Sequence, residues 1–549
     1  MSGAFVLQPF QYSRKLDTCR CRCSTSSEAA DESDIVVIGS GVGGLGAAAL
    51  FAKDGYDVTV LESHLHPGGA AHAFSRGQYV FDSGPSLYTG MSFRPSSNPL
   101  AHLLDSIGED VEWIRYSEWG VNIPEGCFRK RVGAVDIQHM LQTRNKSSEQ
   151  GRQALDQWNR LWKRIDSLSK ASRAVPTAAV RTDPLAAVTV SRYLPRVLSS
   201  LSSLPFLTRP FSEIMDAEKV DDPLLRNWID LLCFLLSGLP ANGTPTVEAA
   251  FMLGDFYSAG AVLDYPRGGS GELVEALARG VTKRGGRIML GHHVDSVLVE
   301  NNRATGVRTT TGKVFRAKEL VVSNASCWDM ARLLQNDLAD DSFNQWNRSL
   351  SDTPECRSFM HLHLGFDLTG LGDLLCHYIH VFDWNKGIDA EGNVVLISIP
   401  SVLDPSLAPE GKHVLHAYTP ASEPYDAWAG LKKGSPEYVA RKEERAGVIW
   451  KALEEIVPDI RSRVDVEMIG TPLTHEKFLR RSRGSYGPAI RAGQEMFPFA
   501  ETPVEHLIRC GDSVFPGIGL PAVAAGALIA ANSRSSILSH LALLDEIGL

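Results

Sequence analysis

Apolar residues follow two regimes along this chain: short unbroken runs that end in glycine, and longer stretches in which they recur at helical spacing. Ile35-Val36-Val37-Ile38 belongs to the first kind. It is β-branched and has no polar face, the pattern of a strand buried on both sides in a parallel sheet. It runs into Gly39-Ser40-Gly41-Val42-Gly43-Gly44, after which small residues over 45–53 predict a helix and residues 57–62 a second strand. A similar order recurs near the other end, where the apolar Leu507-Ile508-Arg509 is followed by Gly511-Asp512-Ser513 and a glycine-rich turn through Gly519. The helix that follows opens on Leu520-Pro521, with proline in a first-turn position where its missing N–H costs nothing. Strand, glycine turn, helix and strand together predict an α/β protein.

The glycines have separate physical tasks. Gly39 makes the tight turn, Gly41 admits a pyrophosphate close to the backbone, and Gly44 lets helix pack on strand; Gly43 completes the turn. The helix start then directs unpaired N–H groups at the phosphates. Glu62, 23 positions after Gly39, closes the second strand where a carboxylate reaches ribose hydroxyls. Pro67-Gly68-Gly69-Ala70 follows within eight residues. An NAD unit has no use for this second pair, whereas a long, bent FAD needs backbone near its pyrophosphate again. FAD is therefore the expected cofactor. Asp512 is expected at its ribityl or phosphate part. The helix beginning after Gly519, at Leu520 and Pro521, would aim its positive end at the flavin edge and favour the anionic reduced ring.

Composition narrows the remainder. With 549 residues, 44% hydrophobic and 22% charged, the chain can bury a large core, and a net charge of -9 offers no basic face for nucleic acid. Residues 1–30 are Ser-rich and acid-poor with net charge +2, the balance of an organelle transit peptide. The Cys19-Arg20-Cys21-Arg22-Cys23 run lacks zinc-knuckle spacing, and no metal site is expected there. The longest apolar run, residues 228–239, is too short to span a membrane. Residues 151–255 mix helical patterns with Leu/Ser-rich stretches such as 197–207, suited to lining a long tunnel or dipping into a lipid surface. In His361-Leu362-His363, strand alternation puts both imidazoles on one face, more in keeping with sheet histidines than with a metal site. Glu213, Glu248, Asp255 and Asp264 interrupt apolar surroundings and are the candidate acids or bases.

Taken together, residues 39–62, Pro67-Gly68-Gly69, Phe81-Asp82-Ser83-Gly84-Pro85-Ser86, Val321-Val322-Ser323-Asn324-Ala325, and the Gly511-Asp512-Ser513 and Gly519-Leu520-Pro521-Ala522-Val523 stretches resemble the phytoene desaturase and carotenoid isomerase family of FAD proteins, most nearly its plant and algal carotenoid isomerase-like branch. The resemblance covers the chain after the leader. It implies an amine-oxidase-like α/β fold: a discontinuous Rossmann-type FAD domain (34–95, 265–330 and 490–549), an α+β substrate domain (96–264 and 331–489) and a leader over 1–33. It also implies that backbone groups at Val294 hold adenine, and that the basic turn Arg480-Arg481-Ser482-Arg483-Gly484 lies near the active-site wall. The implied activity is cis-trans isomerisation of a carotenoid by reduced FAD in a plastid, with no net redox change and with peripheral membrane contact. Desaturation, saturation or hydration of a related isoprenoid is the first alternative. A non-catalytic isoprenoid carrier of the GDI-like fold is the second.

Overall fold

The run at residues 35–38 lies between two parallel neighbours. Its strand, Asp31–Ile38, pairs with Val58–Leu61 on one side and with Val314–Ser323 on the other. Covered on both faces, it has no need of alternating polarity. The computed structural model describes residues 31–144, 147–334 and 341–549. The Cys19, Cys21 and Cys23 run and the targeting reading of residues 1–30 lie outside those residues. The first strand starts at Asp31, ahead of the boundary expected at residue 34, and the Ser33 hydroxyl is 2.7 Å from that of Thr59 on the next strand.

This first sheet has seven strands. Six follow the order Arg287–Met289, Val58–Leu61, Asp31–Ile38, Val314–Ser323, Arg303–Thr309 and Val294–Glu300, and Leu507–Arg509 adds in parallel beside the end of Val314–Ser323. The turn between the last two strands of that order is made by Asn301 and Asn302, both at positive φ, the handedness that suits a tight hairpin. Two helices from opposite ends of the chain pack together on the sheet: Val42–Lys53, buried from Val42 to Ala52, and Leu520–Asn532. They approach closely because a Cβ at Gly46 would already lie 3.2 Å from that of Ala527.

A second seven-stranded sheet runs Val464–Gly470, His361–Asp367, Lys412–Tyr418, Val394–Ser398, His377–Val381, Glu118–Ile123 and Gly126–Arg131. Helices from residues 134 to 256 pack around Trp158, Trp228 and Tyr257, with the Trp228 indole donating to the Tyr257 hydroxyl at 2.6 Å. The apolar run over 228–239 falls largely in the helix Pro223–Ser237, which Asp222 caps by accepting from the Leu225 N–H at 2.8 Å. No helix of the described residues is long and apolar enough to cross a membrane. The Leu/Ser-rich stretch forms only one short helix, Leu194–Ser199, and a single turn, Leu204–Phe206, and leaves Leu194, Leu198 and Leu201 more than half exposed. The six cysteines from Cys127 onward are free thiols, all buried except Cys127.

Candidate functional site

Two glycine turns meet around one side chain, Asn324, and a third joins them. The Asn324 N–H donates to the Ile38 carbonyl at 2.9 Å, which places the residue at the end of the strand next to the first turn. A Cβ on Gly41 would lie 2.7 Å from the Asn324 amide nitrogen, and Cβ atoms on Gly43 and Gly511 would lie 2.7 and 2.6 Å from its amide oxygen. The third turn joins through Gly68, whose N–H donates to the Ser40 carbonyl at 2.9 Å, and through Gly69, where a Cβ would stand 3.0 Å from the Gly41 Cα. Ala70 follows in the short turn Gly69–Ala71 and is exposed. At Gly44 a Cβ would come within 2.1 Å of the Gly39 carbonyl, so only glycine lets helix and turn close. Residues some 470 positions apart thus form one cradle, with Gly43 against the Gly511 backbone. Asn324 lies in the Val321-Val322-Ser323-Asn324-Ala325 stretch that carries the resemblance, but the sequence alone assigns it no role in the site.

Glu62 is 7% exposed and tied into the first turn. Its Oε2 accepts from the Ser40 N–H at 2.8 Å and the Ser40 hydroxyl at 2.7 Å, and its Oε1 accepts from the His64 N–H at 2.7 Å. Val294 opens the strand Val294–Glu300 rather than sitting inside one that starts at residue 292. The chain just before it is bound to the same glutamate, since the His292 N–H donates to the Glu62 carbonyl at 2.7 Å.

On the far side of the cradle, Asp512 forms an ion pair with Arg481, with Nη1 2.6 Å from Oδ2. The remaining Arg481 donors, Nε and Nη2, are buried without a hydrogen-bond partner. Gly519, Leu520 and Pro521 start the last long helix, and a Cβ on Gly519 would meet no atom within 4 Å. A glycine-lined hollow, an open helix start and buried unpaired donors suit a flavin nucleotide.

Facing this region is a wall of histidines. His361 and His363 share a sheet face as alternation requires, and His416 on the adjacent strand stacks on His363 with ring centres 4.3 Å apart. His361 Nδ1 and His416 Nε2 are hydrogen-bonded at 2.6 Å, and His361 Nε2 is hydrogen-bonded to His475 Nε2, giving a chain of three imidazoles that ends at a buried His416 Nδ1 without a partner. Phe359, Tyr418 and Tyr486 pack at one end of the wall. At the other, His363 Nε2 lies 3.2 Å from the Asp82 carbonyl, and His72 Nδ1 lies 2.8 Å from that of Gly69. Burial keeps these rings uncharged. It lowers His72 and His363 to about 4 and His475 to about 3, and it holds His361 and His416 well below the usual imidazole range, with neighbouring histidines adding to the effect. No group of His, Cys, Asp or Glu among the described residues could hold a metal ion.

The four candidate carboxylates separate. Glu213 is exposed and 3.5 Å from Arg209, and Asp255 pairs with Arg173 at 2.7 Å, so both have surface-type or structural roles. Asp264 is fully buried and accepts from the Met91 N–H at 2.8 Å. Glu248 has no ionic partner, and burial pushes its carboxyl up to about 8, which keeps it a neutral acid at pH 7.

Residues 42–532 match the family described as flavin containing amine oxidoreductase. The chain is 31% identical over 512 residues to the chloroplastic prolycopene isomerase of Arabidopsis thaliana, covering 91% of this chain and 82% of that protein. It is 25% identical over 570 residues to the all-trans-retinol 13,14-reductase of Danio rerio, covering 95% and 90% respectively. An oxidoreductase from Methanosarcina mazei shares the fold with a TM-score of 0.59 at 20% identity, over 90% of this chain and 98% of that one.

Proposed function

The chain belongs to the flavin-containing amine oxidoreductases, and from that premise we propose that it holds one FAD across its glycine turns and, with the flavin reduced, isomerises cis double bonds of a carotenoid. In this reading Gly39, Gly41, Gly43, Gly44, Gly68, Gly69 and Ala70 hold the diphosphate, and backbone groups at Val294 hold the adenine. Glu62 takes the adenosine ribose; its two oxygens are held in place by four hydrogen bonds from Ser40, Ser63 and His64, which fix the carboxylate beside the first turn. Gly511 and Asp512 hold the ribityl-phosphate part, and the helix start at Gly519, Leu520 and Pro521, with the N–H groups of Gly519 and Leu520, faces the ring.

When bound and reduced, the flavin supplies an electron-rich ring beside which positive charge on a polarised polyene is stabilised. The chain's own contribution is a flat, water-poor slot. The observation that carries the reading is the wall opposite the cradle, where His361, His363, His416 and His475 stand uncharged among Phe359, Tyr418 and Tyr486. An apolar polyene packs on such rings without stripping water from a charge. The likeness to prolycopene isomerase supports a carotenoid in that slot. Glu248, neutral in apolar surroundings, lets the helical segment border the substrate without placing an anion there.

The plastid is the expected location, since the Arabidopsis relative is chloroplastic and the leader is Ser-rich. Carotenoids dissolve in lipid, and Leu185, Val188, Leu194, Leu198 and Leu201, each 41–55% exposed, form the segment that dips into it.

The test is anaerobic incubation of the full chain with FAD, a reductant and poly-cis lycopene, with isomers separated by chromatography. An all-trans product of unchanged mass, with no reductant consumed per turnover, is expected. A product enriched in hydrogen would replace isomerisation by saturation, the reading that the likeness to a retinol reductase supports. Failure to convert any carotenoid would overturn both.

A further inference from the structure

The basic turn after the helix Pro472–Leu479 is held in a costly shape. Arg480 and Arg483 both adopt left-handed backbone, at φ 53 and 51, a conformation that non-glycine residues seldom take. The turn is pinned from outside. The Ser482 N–H donates to Asp329 Oδ2 at 3.2 Å, and Arg483 pairs with Glu355 at 2.5 Å and Asp426 at 2.7 Å. Between the two strained residues, Arg481 is directed inward, its side chain 17% exposed. One nitrogen meets Asp512, while Nε and Nη2 stay buried and unpaired. A buried donor without an acceptor loses its hydration with nothing to replace it. Unpaired donors on a residue held between two strained neighbours, next to the glycine cradle, call for a ligand.

We propose that Arg481 is an anion-binding residue of the flavin site, its free N–H groups taking a negatively charged part of the bound nucleotide: either the diphosphate or the N1–C2=O edge of the reduced ring. The inference rests on the FAD reading above. Asp512 directly follows Gly511, which abuts Gly43, so a diphosphate or a reduced ring entering the cradle comes close to a carboxylate. A guanidinium 2.6 Å from that carboxylate cancels the repulsion and still has donors to offer. The imidazoles of the facing wall cannot serve in its place at neutral pH, because burial holds His72, His361, His363, His416 and His475 uncharged. A planar fork meets a planar or bidentate anion, which a lysine ammonium does not reproduce.

The experiment compares wild type, Arg481→Met and Arg481→Lys as full chains. Binding of FAD and of riboflavin is titrated by fluorescence, the midpoint potential of the bound flavin is measured, and circular dichroism reports folding. If the diphosphate is the anion, Arg481→Met binds FAD at least tenfold more weakly, binds riboflavin unchanged and keeps its potential. If the reduced ring is the anion, oxidised FAD binds as before and the reduced form is held at least tenfold more weakly, which for a two-electron couple lowers the potential by about 30 mV or more. Arg481→Lys recovers less than half of either loss. A folded Arg481→Met with wild-type FAD affinity and potential would overturn the proposal. Should Arg481→Met not fold, Arg481→Met/Asp512→Asn, which strands no charge, is compared with Asp512→Asn alone. The same tenfold loss of affinity or fall in potential is expected between them, and equality in both measures overturns the proposal. None of these readouts uses a carotenoid, so their failure leaves the isomerase reading intact. A wild-type chain that takes up no flavin of any kind would sink both.

Discussion

The glycine cradle and the histidine wall face each other yet are built on opposite principles. The cradle is made of backbone: what matters at Gly41, Gly43, Gly44 and Gly511 is the absence of a side chain, and each removes an atom that would sit 2.1–2.7 Å from a neighbour. The wall is made of side chains, five imidazoles from four separate segments, all kept uncharged by burial. The cradle tolerates no added volume; the wall tolerates no added charge. A steric change should therefore break one and a proton the other.

The proton has the larger effect. Each of these histidines has a folded-state pKa below its unfolded value near 6.5, so its contribution is fully present above pH 6.5 and is lost as pH falls toward the folded value. For His72 and His363, lowered to about 4, and for His475, lowered to about 3, the loss on going from pH 7 to pH 5 is about 2 kcal/mol per ring, several kcal/mol in sum. Urea midpoints at the two pH values test this, and a flat profile would mean that the wall is open to water.

Adding volume to the cradle comes next. Gly44→Val forces a side chain onto the Gly39 carbonyl and is expected to cost about 3 kcal/mol or more, with loss of flavin absorbance from whatever protein stays soluble. Retention of flavin by a stable Gly44→Val protein would contradict the cradle.

Glu62→Ala removes the acceptor of four hydrogen bonds and should lower stability by about 1–3 kcal/mol, with weaker FAD retention on gel filtration. Asp512→Ala should likewise weaken retention, and full occupancy in both variants would rule out their assignment to the cofactor.

The smallest stability effect belongs to neither region. Leu194→Ser, Leu198→Ser and Leu201→Ser alter exposed residues and should each move stability by less than about 0.5 kcal/mol. Combined, they should abolish co-sedimentation with liposomes of plastid-type lipid, and unchanged sedimentation would remove the proposed membrane contact.

The cradle was largely readable before any coordinates. Gly39 to Glu62 and Leu507 to Pro521 are local words: an apolar run, a glycine turn and a small-residue helix each impose their conformation within a few residues, whatever surrounds them. The apolar stretch at 197–207 is legible as a tunnel lining or a lipid-facing segment; that it ends in one short helix and a single turn with leucines outward follows from the core having been filled by Trp158, Trp228 and Tyr257 instead. His361-Leu362-His363 announced a shared face but not what shares it. His416 reaches that face because Lys412–Tyr418 pairs antiparallel with His361–Asp367, and His475 because the helix after Val464–Gly470 folds back over the sheet edge. Arg481 meets Asp512, and Asn324 meets the first and last glycine turns, for the same kind of reason. By itself, then, the sequence determined the backbone-built half of the site, since excluded volume and turn geometry act between near neighbours. Strand order and register, settled by burying the whole core at once, decided which distant polar groups would stand together without charge or without a partner.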